Sequence, residues 1–92
     1  MIEEALRKLA EGTGPSAVQV SNLAGLTSAD LPSLRTGWIE LAPERRRAIL
    51  GVAIQLAEDD VQLDFTTLFR LCLNDSDPAV RARASASLRP FS

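Results

Sequence analysis

The chain has 92 residues, of which 46% are apolar and 24% are charged, a composition typical of one globular domain and not of a disordered segment. Ten basic residues stand against twelve acidic ones, and this net charge of −2 argues against nucleic acid as the main partner. The single cysteine excludes an internal disulfide, and the short apolar runs predict neither a signal peptide nor a membrane span, so we expect a cytoplasmic protein.

The first 26 residues predict two helices. Apolar residues of the first segment fill every position of the helical template i, i+3, i+4, i+7, i+8, and they are Ile2, Ala5, Leu6, Leu9 and Ala10. The sequence Gly-Thr-Gly at 12–14 ends this helix. A shorter helix is expected after Pro15, with Gly25 as its C-terminal stop. Its apolar residues are Val20, Leu23 and Ala24.

The next two helices are predicted between residues 27 and 58. Thr27 followed by Asp30 resembles a capping box, and Pro32 fits only in the first turn of the helix that begins there. That helix is expected to bury one side, formed by Leu31, Leu34, Trp38 and Ile39. Pro43 then begins a helix over 43–58 with an unusually wide apolar arc. Such a helix is expected to be covered on two sides, as inside a stack.

Two more helices complete the prediction. Asp64 is the expected N-cap of the fifth helix. The apolar face of that helix is formed by Phe65, Leu68, Phe69, Cys72 and Leu73. Asp77 and Pro78 supply an N-cap and a first-turn proline for the last helix, which is expected to run to about Leu88. No segment alternates as a strand would, so the predicted fold is all-α.

The two strongest helix pairs align with each other. At an offset of 34 residues the apolar positions of the third helix fall on those of the fifth, and at 35 the residues Glu40, Pro43 and Arg46 fall on Asp75, Pro78 and Arg81. Helix pairs that recur at about this spacing indicate an α-solenoid, because one pair cannot bury both of its faces without stacked neighbours.

The run Leu73-Asn-Asp-Ser-Asp-Pro-Ala-Val-Arg81 resembles the turn and the second-helix start of a HEAT repeat. In that family an acid ends the turn, a proline begins the second helix and an arginine follows in its first turn. Asp75 and Arg81 match the acid and the arginine. One repeat earlier, Ala42 stands at the position that corresponds to Asp77. The segment from Leu23 to Leu88 also resembles the opening of a group of uncharacterised bacterial HEAT-repeat proteins.

This resemblance implies a short right-handed α-solenoid of antiparallel helix pairs in a single domain, 1–92. Residues 27–60 would be the first repeat and 61–89 the second, with 1–26 as a cap or a degenerate pair. The chain is then either an unusually short family member or one piece of a longer array. Because the last helix lacks a cap, we expect self-association through the C-terminal end, or further repeats.

The resemblance further implies a protein-interaction module whose second helices line a concave binding surface. The expected partner-binding residues are Glu44, Arg47, Gln55, Glu58 and Arg83. The alternative is a nucleic-acid-binding module, which would require Arg45, Arg47, Arg83 and Arg89 to gather on one side. Arg46 and Arg81 are instead expected to pair with Glu40 and Asp75 across the stack.

Catalysis has no supporting motif. The chain contains no histidine, no glycine-rich phosphate loop and no nucleophile elbow, so we expect no enzyme, no cofactor and no metal site. Cys72 is expected in the core and not as a nucleophile, and Trp38 in the core and not as a binding hot spot. The acidic runs at 58–60 with Asp64, and at 74–77, fail the calcium-loop pattern and predict turns and caps.

Overall fold

The computed structural model describes residues 2–11, 15–60 and 62–87, which form six α-helices and one 3-10 turn with no strand among them. The predicted all-α class is therefore confirmed. The helices are α1 (Ile2–Ala10), α2 (Ala17–Ser21), α3 (Leu31–Ile39), α4 (Pro43–Asp59), α5 (Thr66–Cys72) and α6 (Pro78–Ser87), and the 3-10 turn is Ser28–Asp30.

Acidic side chains begin three of these elements. The Asp30 carboxylate accepts a hydrogen bond from the Thr27 backbone N–H at 2.9 Å, the return half of a capping box. The Val80 N–H donates to Asp77 Oδ2 at 3.0 Å, so the predicted cap of α6 is confirmed. Asp64 accepts from the Thr66 N–H at 2.9 Å, although it lies one residue before the N-cap position of α5.

Helix α2 is shorter than predicted. It ends at Ser21, and Leu23 and Ala24 lie in the turn that follows instead of in the helix. The N–H groups of Leu23 and Ala24 bond to carbonyls three residues back, at 2.9 and 3.1 Å, so the chain winds more tightly than an α-helix there. Gly25 then stops the turn with φ of +71°, as expected of a C-terminal glycine.

The helices pack in two layers. In one layer α3 contacts both α1 and α5, and in the other α4 contacts both α2 and α6. Contacts between α1 and α2 and between α5 and α6 join the layers. The core between them contains the predicted Trp38 and Cys72, which are 1% and 0% exposed. Because α4 is flanked by two helices, its wide apolar arc is used on two sides, as expected.

Two apolar residues assigned to buried faces are exposed instead. Ile39 is 66% exposed and Leu73 is 39% exposed. Ile39 is the last residue of α3, and Leu73 directly follows α5. In each case the preceding side chain, Trp38 or Cys72, is buried and already fills the contact with the core. In α5 the core receives Leu71 in addition to the predicted face, and it is 9% exposed.

Substitution of Gly51 by alanine is expected to raise the free energy of unfolding by about 0.5–1 kcal/mol, because glycine is a poor residue inside a helix. An added Cβ would meet only the Arg83 guanidinium tip, at 3.4 Å, in ordinary contact. The matched control is Gly25→Ala, which should destabilise by about 1 kcal/mol because φ of +71° is left-handed. Urea denaturation measures both; a loss of stability in Gly51→Ala would contradict the packing at this position.

Candidate functional site

A buried polar cluster surrounds Asp75, in the turn between α5 and α6. Trp38 Nε1 donates to Asp75 Oδ2 at 2.8 Å, and Arg46 Nη1 donates to Asp75 Oδ1 at 2.6 Å. The Asp77 N–H also donates to Oδ1, at 2.9 Å, and Arg81 Nη1 donates to the Asp75 carbonyl oxygen at 2.7 Å. One carboxylate therefore holds α3, α4 and the start of α6 together.

The charges of Arg46 and Asp75 are almost fully removed from water. The side chain of Arg46 is 7% exposed and that of Asp75 is 1% exposed. Burial raises the pKa of Asp75, but the hydrogen bonds from Asp77, Trp38 and Arg46, with the Arg46 charge, outweigh it and leave the pKa below its ordinary value. The Nε–H of Arg46 is buried without a hydrogen-bond partner among the described residues.

The pairing differs from the one predicted for the repeat signature. Glu40 is exposed and makes no ion pair with a described residue, and Arg46 pairs with Asp75 from the following turn. Arg81 contacts the carbonyl of Asp75 and not its carboxylate. Pro43, Asp77 and Pro78 occupy the helix starts expected of them. The reason is that α4 packs on α6. This packing brings the turn between α5 and α6 to Arg46, so Asp75 and not Glu40 becomes the partner of its guanidinium.

Acid is expected to weaken the fold through Asp75. Its pKa is lowered in the folded state, so its stabilisation is fully present above the unfolded value of about 3.9 and is lost as pH falls below it. Urea denaturation from pH 6 down to pH 3 should show this loss in the unsubstituted chain and a smaller loss in Asp75→Asn. Equal acid sensitivity in both chains would assign the effect to other carboxyl groups.

Cys72 lies beside this cluster as a free, fully buried thiol. Burial, and secondarily the charge of Asp75, raises its pKa to about 12, with Arg46 opposing. Because only the thiolate reacts, we expect no labelling of the folded protein by an aromatic disulfide reagent near pH 8, and full labelling in denaturant. Rapid stoichiometric labelling without denaturant would contradict this burial.

The residues predicted to bind a partner share one surface. Glu44, Gln55 and Glu58 are exposed on α4, and Arg47 lies half-buried on the same side with its Nη1 3.8 Å from Asp77 Oδ1. Arg83 of α6 is exposed and reaches over Gly51, which lies between Arg47 and Gln55 along α4. We call this set of residues the α4/α6 face. Its charges have both signs.

The arginines required for nucleic-acid binding are only partly brought together. Arg47 and Arg83 share the α4/α6 face, where the carboxylates of Glu44, Glu58 and Asp77 accompany them. Arg45 is half-buried on another side of the same helix. Arg89 and the C-terminal end of the chain lie outside the described residues. The predicted self-association and the predicted end of the last helix near Leu88 both depend on that end.

The acidic runs take the predicted turn and cap roles only in part. Asp60 Oδ1 accepts from the Gln62 N–H at 3.0 Å in the turn after α4, whereas Glu58 and Asp59 belong to α4 itself, where Asp59 Oδ1 accepts from Gln55 Nε2 at 3.2 Å. Within residues 2–11, 15–60 and 62–87 no group of three or more potential metal ligands converges. In the same ranges no helix has both the length and the apolar character needed to cross a membrane.

Two grooves open on the layer formed by α1, α3 and α5. The first, of about 830 Å³, lies between α1 and α3 above the contact of Leu6 with Gly37, where a Cβ would stand 2.5 Å from Leu6 Cδ1. The second, of about 660 Å³, lies between α3 and the C-terminal end of α5. We call it the α3/α5 groove. It contains Arg35, Ile39 and Arg70, none of which the sequence indicated as a binding residue.

Sequence signals for these residues were weak. Arg35 and Ile39 are spaced i, i+4 and so share one side of α3, but nothing in the sequence places Arg70 opposite them. For Trp38 the sequence predicts only that a buried indole N–H has some acceptor. It does not predict that the acceptor is Asp75.

No protein-family model, no curated protein and no solved structure matches the chain.

Proposed function

We propose that the chain is a short right-handed α-solenoid of HEAT type that acts as a cytoplasmic protein–protein interaction module without catalytic activity. Residues 27–60 and 61–89 are its two repeats, and residues 1–26 are a cap or a degenerate pair. Support comes from the packing order, in which α3 lies between α1 and α5 while α4 lies between α2 and α6. Stacked two-helix units require this alternation.

The observation that carries the binding function is the polar α4/α6 face. Helix α4 has 17 residues and is flanked by α2 and α6, yet it keeps Glu44, Gln55 and Glu58 exposed along one stripe. Arg47 and Arg83 lie among these residues, and a face that mixes both signs of charge suits a protein surface of complementary pattern better than a uniformly charged polymer. In HEAT proteins, which this chain resembles, the second helix of each pair lines the binding side.

The buried cluster around Asp75 supports the same role. It fixes α4 to the start of α6 through Arg46 and Asp77, and these two helices carry the whole proposed surface. A surface whose elements are already fixed loses less conformational entropy when it binds. The α4/α6 face is therefore built as a rigid platform.

Site-specific photocrosslinking tests the proposal. A photoreactive benzophenone amino acid at position 55, on the α4/α6 face, is expected to yield a discrete crosslinked protein in cells that produce the chain. The same amino acid at position 8 is the control, because Lys8 is exposed on α1 in the other layer and lines neither groove.

A second substitution makes the test specific to this surface. Arg83→Glu should abolish the crosslink from position 55 while leaving the circular dichroism spectrum unchanged, since Arg83 is exposed. Equal crosslinking from positions 55 and 8, or a crosslink that survives Arg83→Glu, would contradict a partner on the α4/α6 face.

A further inference from the structure

The α3/α5 groove combines an apolar lining with an exposed aliphatic side chain. Leu31, Trp38 and Leu71 contribute apolar surface to a volume of about 660 Å³. Ile39, at its edge, is 66% exposed, whereas the other large apolar side chains of α3 (Leu31, Leu34 and Trp38) are at least partly buried. Covering an exposed aliphatic side chain removes apolar surface from water, so a ligand that covers Ile39 would gain affinity.

The groove has the opposite charge to the chain as a whole. Arg35, Arg46 and Arg70 line it together with one acid, Asp75, which leaves two positive charges in a chain whose net charge is −2. Both Asp75 oxygens already accept hydrogen bonds from buried donors. Arg35 and Arg70 are exposed, and neither lies within ion-pair distance of a described carboxylate.

A third arginine in the groove keeps an unused donor. Arg46 is 6% exposed, and its Nε–H has no partner within the part of the chain that the structure describes. Buried donors are normally satisfied, and this one is shielded from water, so Arg46 contributes positive charge behind the groove and not a free contact. The groove therefore offers exposed guanidinium groups from α3 and α5 beside an aliphatic surface.

We propose that the α3/α5 groove binds an acidic segment of a partner protein in which a carboxylate side chain stands next to aliphatic or aromatic ones. Guanidinium groups bind carboxylates in a bidentate geometry, which fits Arg35 and Arg70 on the two sides of the groove. The apolar neighbours cover Ile39, which a nucleic-acid backbone would leave in water. This site lies on the other layer from the α4/α6 face and does not depend on it.

A peptide selection followed by a titration tests this inference. The folded chain is screened against a random dodecapeptide phage library, and the most enriched peptide is labelled with fluorescein and titrated by anisotropy. Enriched peptides are expected to place Asp or Glu beside Leu, Ile or Phe. Arg35→Glu and Arg70→Glu should each weaken binding by roughly tenfold or more, because each removes a guanidinium and introduces repulsion. Ile39→Ser should weaken it several-fold.

The matched control is Arg83→Glu, an equally exposed charge reversal on the α4/α6 face, which should leave the affinity unchanged. Four outcomes would overturn the inference: no enrichment, enrichment of basic or purely polar peptides, binding that survives Arg35→Glu with Arg70→Glu, or displacement of the peptide by an equal concentration of single-stranded DNA. A peptide that responds only to Arg83→Glu would place binding on the α4/α6 face instead.

Discussion

Replacement of Asp75 by alanine is expected to lower the free energy of unfolding by about 3–5 kcal/mol, the usual cost of removing one partner from a buried ion pair. The substitution leaves the Arg46 charge with 7% exposure and no counter-ion, and it removes the acceptor of Trp38 Nε1. Domains of this size are only modestly stable, so a substantial fraction of the variant should be unfolded without denaturant.

Urea denaturation followed by far-ultraviolet circular dichroism measures this change. Asp60→Ala is the matched control, because Asp60 is exposed and accepts a local hydrogen bond from Gln62; its effect should stay within about 1 kcal/mol. An Asp75→Ala chain within 1 kcal/mol of the unsubstituted one would show that the cluster contributes little to stability.

Replacement of Trp38 by alanine is expected to cost about 3–5 kcal/mol, the range for deleting a large aromatic side chain from a core. Trp38 is 1% exposed and is the link between α3 and the turn that follows α5. The substitution both opens a cavity and leaves Asp75 Oδ2 without its donor. Trp38→Phe keeps one six-membered ring and removes the N–H together with the rest of the indole, so it opens a smaller cavity and is expected to cost less, about 1–3 kcal/mol.

The neighbouring residue provides the control for Trp38. Ile39→Ala removes a large side chain from the same helix, but Ile39 is 66% exposed, so the change should stay near 0.5 kcal/mol. Circular dichroism follows unfolding in all three variants, because tryptophan fluorescence is lost in two of them. A Trp38→Phe chain as stable as the unsubstituted one would remove any role for the hydrogen bond to Asp75.

Local signals predicted the helices well where they were strong. Pro43 with a wide apolar arc predicted α4, which runs over Pro43–Asp59, and Asp77 with Pro78 predicted the start of α6. The weak element was α2, whose start is marked by a complete capping box between Ser16 and Gln19, a spacing that is readable in the sequence although the apolar periodicity there is weak. After Ser21 the N–H groups of Leu23 and Ala24 bond to carbonyls three residues back. This tighter winding is set by the tertiary structure and is not encoded by apolar spacing.

The candidate surfaces were predictable to different degrees. The exposed polar stripe of α4 follows from helical periodicity, because residues three and four apart share one side. The α3/α5 groove does not, since Arg35 and Arg70 are far apart in sequence and meet only when α3 packs on α5. The exposure of Ile39 is likewise a result of which neighbour packs on that end of α3.

The sequence by itself determined that this protein is all-α, where its stronger helices begin, and that Trp38 and Cys72 lie inside. These properties depend on spacing over a few residues, which periodicity and capping chemistry record directly. Only the tertiary structure decided that Arg46 pairs with Asp75 and not with Glu40. Several acids in the sequence were chemically equivalent partners, and the packing of α4 on α6 selected the one that a buried guanidinium could reach.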